Sequence, residues 1–172
     1  MNSNSLVSIV FLAMTLIAGR ASADSGHEHM GGMSEPMETH EHMEMNVPFG
    51  SPGEEAEVTK TIHVQATDQF RFVFDRTDIR QGDVVKFVVT NTGKLRHEFS
   101  IGDVPSQRAH AVMMKKMPDM VHNDPNAATL APGETKTLVW KFDKVMSTDL
   151  VFACHEPGHY EAGMVQRAKL KK

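Results

Sequence analysis

From residue 59 onward, apolar and polar side chains change places with a period of two, in runs too short and too rich in β-branched residues for helices. Residues 59–66 (TKTIHVQA) alternate, 69–74 (QFRFVF) alternate with aromatics, and 83–90 (DVVKFVVT) form a β-branched run. Turn formers divide them, notably Gln81-Gly82-Asp83 and Asn91-Thr92-Gly93-Lys94. Further strands are expected at 97–101, at 135–142 (TKTLVWKF) behind the turn 130–134, and at 150–153. Residues 105–117 (PSQRAHAVMMKKM) lose the alternation and carry good helix formers. Short strands at regular spacing with one helical interruption predict an all-β fold, a Greek-key β-sandwich with a short helical Met-rich insertion.

The pattern upstream is different. Residues 6–18 (LVSIVFLAMTLIA) are an apolar run shorter than the roughly 18 residues of a membrane span, and Ala21-Ser22-Ala23 follows with the spacing of a cleavage site. Residues 1–23 are therefore expected to be a signal peptide, with export to the periplasm and no membrane anchor once it is cleaved. Residues 24–57 are rich in His, Met, Glu, Gly and Pro and nearly lack large apolar side chains. They cannot bury enough surface to offset the entropy of ordering, so a disordered tail is expected, ending in a linker at Pro48 and Gly50-Ser51-Pro52-Gly53. The folded domain is expected over 58–172.

Charge and cysteine content narrow the function. A net charge of −4 without a basic stripe argues against a general nucleic-acid binder. Cys154 is the single cysteine of the 172 residues, so an exported chain has no internal disulfide. An intermolecular bridge, a reactive thiol and a metal bond remain as its roles.

The segment Cys154-His155-Glu156-Pro157-Gly158-His159-Tyr160-Glu161-Ala162-Gly163-Met164 puts a thiolate, an imidazole and a thioether on one loop, kept compact by its proline and glycines. One thiolate, two imidazoles and a weak axial thioether form the ligand set of electron-transfer copper sites, whereas zinc more often recruits several cysteines or a carboxylate. His97, which opens a strand directly after a turn, is the best source of the missing imidazole. His155 is expected to be exposed or structural, because neighbouring side chains of an extended segment point to opposite sides.

HEFSIG around His97, APGET at 131–135 and FACHEPGHYEAGM together resemble the cupredoxins, the small copper proteins related to plastocyanin and azurin, over about residue 58 to the C-terminus. The His- and Met-rich leader and the insertion QRAHAVMMKKMPDM are most similar to the exported copper-tolerance cupredoxins called CopI. The resemblance implies His97 and His159 as imidazole ligands, Cys154 as thiolate and Met164 as axial thioether for one copper ion cycling between Cu(I) and Cu(II). Many cupredoxins carry Asn after the first ligand histidine, where this chain has Glu98. That departure bears on potential and colour rather than on binding.

Other side chains suit copper as well. His27, His29, His40 and His42 offer imidazoles to Cu(II), and Met30, Met33, Met37, Met43 and Met45 offer thioethers to Cu(I), so additional copper is expected on the tail. In the insertion, Met113 and Met117 share a helical face, with His110, Met114, Met120 and His122 nearby in sequence. Core packing is the commoner role for such methionines, and a second copper site is the sharper one.

Two functions remain: a binding protein that handles or sequesters periplasmic copper and so contributes to copper tolerance, and a soluble electron carrier serving a respiratory partner. The tail favours the first. The expected partners are copper ions and a redox or copper-transfer protein. A copper enzyme fits poorly, since His-x-His pairs occur only in the tail and the chain has room for one such domain.

Overall fold

The computed structural model describes residues 47–172. Ten strands make two five-stranded sheets among these residues. In chain order they are β1 (Phe49–Pro52), β2 (Lys60–Thr67), β3 (Arg71–Phe74), β4 (Val84–Asn91), β5 (His97–Gly102), β6 (Asn123–Asp124), β7 (Ala127–Leu130), β8 (Thr135–Val145), β9 (Asp149–Ala153) and β10 (Val165–Lys169). One helix, α1 (Val104–Lys116), interrupts them between β5 and β6. The first sheet runs β1-β8-β4-β2-β3 and the second β10-β9-β5-β7-β6. Only β2 and β4 pair in parallel, with Ile62↔Phe87 and Val64↔Val89 in register; the other pairs are antiparallel. The expected β-sandwich is present.

The alternation read from the sequence sets the inner faces. Ile62, Val64 and Ala66 of β2, Val85, Phe87 and Val89 of β4, and Leu138, Trp140 and Phe142 of β8 are buried in one cluster with Phe99 and Ile101 of β5 and Leu150 and Phe152 of β9. Phe99 and Phe152 stack with centroids 5.6 Å apart, and Phe87 lies 5.7 and 5.5 Å from them. Such contacts each add about 0.5–1.5 kcal/mol beyond burial, so the aromatics brace β5 and β9 directly beneath the loop that follows β9.

Helix α1 starts where Asp103 caps it: Asp103 Oδ1 accepts from Ser106 N at 2.9 Å, while Ser106 Oγ accepts from Asp103 N at 2.9 Å. It is a polar helix, with Gln107 and Met114 as its buried residues. Gln107 Nε2 donates to the carbonyls of Ser100 (3.2 Å) and Val151 (2.9 Å), fixing α1 against the outer face of the second sheet.

Four strands depart from expectation, among them the two-residue β6 that pairs with β7. The folded unit reaches upstream of the expected boundary at 58, because β1 pairs with β8 inside the segment read as tail and linker. Its glycine and proline suit an edge strand: Gly50 sits at φ +132 in a bulge between Phe49 and Ser51, and Pro52 ends the strand. Strand β7 was not anticipated because Ala127-Ala128-Thr129-Leu130 is buried throughout and does not alternate. Strand β10 (VQRAK) is polar because it is an edge.

Phe49 is 1 % exposed and stacks on Trp140 at 5.5 Å, and its carbonyl accepts from Trp140 Nε1 at 3.1 Å. Phe49→Ala is expected to destabilise the protein by about 3–5 kcal/mol in denaturant unfolding. A loss below about 1 kcal/mol would remove β1 from the core.

Candidate metal centre

The ladder between β5 and β9 ends at Ser100↔Ala153, and the chain beyond carries His97 on one side and Cys154 on the other. Residues 154–164 form the loop between β9 and β10. Cys154 N donates to the Met164 carbonyl at 3.1 Å and closes its base. Inside it, His159 N donates to Glu156 O (3.0 Å), Ala162 N to Gly158 O (3.0 Å) and Met164 N to His159 O (2.9 Å). Two of its turns need positive φ, at Gly158 (+82) and Gly163 (+93), where side-chain-bearing residues are strained. Arg71 Nη1 donates to Ala162 O at 3.1 Å and ties the loop to the first sheet.

This arrangement brings three predicted ligands together. His97 Nδ1 lies 3.2 Å from His159 Nδ1, which lies 3.3 Å from Cys154 Sγ, and ligand atoms of all three residues fall within 4.8 Å of one another. His97, Cys154 and Met164 are fully buried, while one edge of His159 reaches the surface beside Phe70, with ring centroids 4.9 Å apart. Phe70 itself holds φ +57, unusual for a residue with a side chain, at the tip of the turn between β2 and β3. Met164 belongs to the same buried cluster as Cys154, held there by the loop's backbone bonds.

Surrounding residues fix these side chains. Asp68 Oδ1 lies 3.3 Å from His97 Nε2, which turns Nδ1 toward His159 and Cys154. The carboxylate is itself held by N–H donors from Lys94 (2.8 Å) and Leu95 (3.2 Å), and these bonds pull its pKa below the usual value. Arg96 forks onto Glu156, Nε to Oε1 at 2.8 Å and Nη2 to Oε2 at 2.9 Å. Glu98 N donates to Cys154 Sγ at 3.3 Å, and Glu98 Oε2 accepts from His155 N at 3.1 Å. Glu98 thus organises the cysteine loop from the position directly after His97.

Burial raises the Cys154 thiol to about 12, although N–H groups of Glu98 and Glu156 point at the sulfur and work against the rise. Burial also lowers His97, opposed by Asp68, and lowers His159, with His97 adding to the effect. Two neutral imidazoles and a thiol that needs a cation to lose its proton fit a soft, positively charged metal ion. Complete burial of Cys154 removes the intermolecular bridge and the reactive thiol from its possible roles.

His155 takes the opposite side, as its neighbour relation to Cys154 required, and of the two expected roles it has the structural one, buried rather than exposed. Its Nε2 lies 2.8 Å from Gln107 Oε1 and its ring stacks on Tyr160 at 5.1 Å. In the insertion, Met114 rather than Met113 or Met117 is the buried methionine, and Met117 is 44 % exposed at the end of α1. His27, His29, Met30, Met33, Met37, His40, His42, Met43 and Met45 lie outside the described residues. Sequence reasoning missed Asp68, Arg96 and Glu156. Nothing distinguishes Asp68 from an ordinary turn residue, and the Arg96–Glu156 pair joins positions far apart in the chain.

No protein-family model matches the chain. A copper-resistant cuproprotein CopI of Rubrivivax gelatinosus is 40% identical over 156 residues, covering 91% of this chain and 91% of that protein. Its counterpart in Vibrio cholerae is 37% identical over 166 residues, covering 94% and 97%. Among solved structures, auracyanin B matches with a TM-score of 0.56 at 22% identity, over 74% of this chain and 99% of that one. Reduced auracyanin of Roseiflexus castenholzii matches with a TM-score of 0.52 at 21% identity, over 67% and 99%. The auracyanin likeness establishes a cupredoxin fold, and identity across nearly the whole length of the first two relatives shows that the chain belongs to the CopI family of copper-resistant cuproproteins.

Proposed function

We propose that the chain holds one copper ion through His97, Cys154 and His159, with Met164 as a weak axial ligand, and that it handles periplasmic copper and contributes to copper tolerance. The observation that carries this reading is the convergence of a buried thiol and two oriented imidazoles within 4.8 Å. Copper bound there supplies a one-electron couple between Cu(I) and Cu(II). The chain's own residues do the rest. Asp68 orients His97, Arg96 and Glu98 brace the loop, and burial of His97, Cys154 and Met164 excludes water from all but the edge of His159. Burial of three of the four proposed ligands supports a binding protein rather than an enzyme.

The relatives' names support copper tolerance, as do the imidazoles and thioethers of residues 27–45, which can take up further copper. Export rests on the apolar run 6–18 followed by Ala21-Ser22-Ala23. Among the described residues no helix is long and apolar enough to cross a membrane.

The oxidised, copper-loaded protein is expected to be coloured through thiolate-to-copper charge transfer. Cys154→Ser should abolish the visible band, while Met164→Leu should keep the metal and shift band and potential. A band that survives Cys154→Ser would refute the thiolate ligand.

His159→Ala should weaken copper binding strongly, because it removes an imidazole that faces both His97 and Cys154. His155→Ala should lower stability, through the loss of its Gln107 and Tyr160 contacts, yet leave the visible spectrum nearly unchanged. The reverse pattern in a copper titration would redraw the loop.

Deleting the gene is expected to make cells sensitive to added copper while respiration in ordinary medium stays intact. Sequestration matters only when copper is in excess, whereas an electron carrier matters whenever its pathway runs. Normal copper resistance with a specific respiratory defect would replace this reading with the electron carrier.

A further inference from the structure

A second group of donors lies on the other face of the sheet that carries Cys154. Along β5 the side chains alternate, so Phe99 and Ile101 enter the core while Glu98 and Ser100 face α1, where Ser100 Oγ donates to Gln107. On this face one carboxylate oxygen of Glu98, one ring nitrogen of His110 and one of His122 fall within 4.8 Å of one another. Glu98 Oε1 lies 2.5 Å from His110 Nε2, and the His110 and His122 rings are 4.7 Å apart. Met114 completes the group, with Sδ 3.2 Å from His122 Nε2. Glu98 is 0 % exposed, Met114 3 % and His122 4 %.

We propose that Glu98, His110, His122 and the Met114 thioether form a second metal site, which takes a copper ion. The contacts around His122 carry the proposal. Its Nδ1 lies 2.8 Å from Asp124 Oδ2, and its backbone N–H donates to Thr129 Oγ1 at 2.8 Å. A ring whose Nδ1–H is given to a carboxylate presents a bare lone pair at Nε2, the arrangement by which proteins aim a histidine at a metal. That lone pair faces a thioether sulfur, which has no hydrogen to offer. Two lone pairs pointed at each other between buried side chains are poorly satisfied, and a cation between them satisfies both.

Glu98 makes the same point independently. Its carboxylate is inside the protein, and its ion-pair partner among the described residues is His110 rather than a lysine or arginine. Its second oxygen is occupied by the N–H of His155, so Oε1 alone turns toward the imidazoles. A buried carboxylate is stabilised far better by a metal ion than by one imidazole. A surface cleft lined by Gln107, His110, Met113, His122 and Asp124 leads from solvent to the two histidines and gives an ion its way in.

The donor set selects copper. Two imidazoles and a carboxylate suit several divalent first-row ions and bind Cu(II) most tightly, and a thioether is a copper ligand rather than a zinc ligand. The site shares no ligand with the one built on Cys154, so either can exist without the other. Glu98 touches both through different atoms, its backbone N–H reaching Cys154 Sγ and its carboxylate reaching His110.

The test is a crystal of the full mature chain loaded with Cu(II), read by anomalous scattering at the copper edge. A peak is expected between Glu98, His110 and His122, in wild type and equally in Cys154→Ser, where the coloured site is gone. The double variant His110→Ala/His122→Ala should lose this peak and one tightly bound copper per chain while keeping the visible band, which also reports that it folds. Absence of the peak from the copper-loaded wild type would overturn the proposal whether or not the double variant folds. So would a peak that survives loss of both histidines. Zinc occupying the position from an equimolar mixture of Cu(II) and Zn(II) would overturn its assignment to copper.

Discussion

The grip of Arg96, His97 and Glu98 on the loop 154–164 is the interaction on which the remainder of the centre depends. Three consecutive residues, Arg96 just before β5 and His97 and Glu98 at its start, reach three different parts of that loop: Arg96 pairs with Glu156, His97 faces His159, and Glu98 holds Cys154 Sγ and the N–H of His155. Pairing between β5 and β9 has already ended at Ser100↔Ala153, so these side-chain contacts replace the missing backbone ladder. Without them the loop would be held only at its base and by the contacts of Arg71 and Phe70 from the first sheet. With them its histidine and cysteine converge on His97 in a fixed arrangement.

Fixing a site this way has a physical consequence for the metal. The thiol is buried enough to remain protonated at neutral pH, and the imidazoles are kept neutral by the same burial. A cation bound there would enter a place already shaped for it and would displace one proton, with little ordering of side chains left to oppose binding. The stacked Phe99 and Phe152 beneath β5 and β9, and Phe70 against His159, would resist the loop's collapse or spreading if the charge on a bound ion changed. Rigidity of that kind suits an ion that occurs in two oxidation states.

Strand alternation distributes chemistry to both sides of the sheet. His97 and Cys154 face one way, Glu98 and His155 the other, and α1 covers the second face through Gln107. The helical insertion is thus more than a connection between β5 and β6. It carries His110 and Met114 over Glu98, and the chain returning from it adds His122, held by Asp124 and Thr129. Polar groups that would be costly in a sandwich core instead sit between sheet and helix, where most find partners.

Much was legible from the sequence because its signals are local. Alternation marks β2 and β3 and β-branched content marks β4 whatever they pair with, and a thiolate, imidazole and thioether on one short loop mark metal chemistry before any fold is known. His97 was legible for its position at the head of a strand. Strands β1, β6, β7 and β10 were not, since an edge strand carries turn-like or polar residues and a strand buried on both faces does not alternate. Asp68, Arg96 and Glu156 were equally silent, because their roles lie in contacts spanning 29 and 60 positions of the chain. The gathering of Glu98, His110, Met114 and His122 belongs to the same class: periodicity could place Met113 and Met117 on one helical face, but only the docking of α1 on the sheet decided that Met114 would face His122. Residue types and spacing determine which atoms are able to bind a metal; the packing of helix on sheet and loop on strand decides which of them meet.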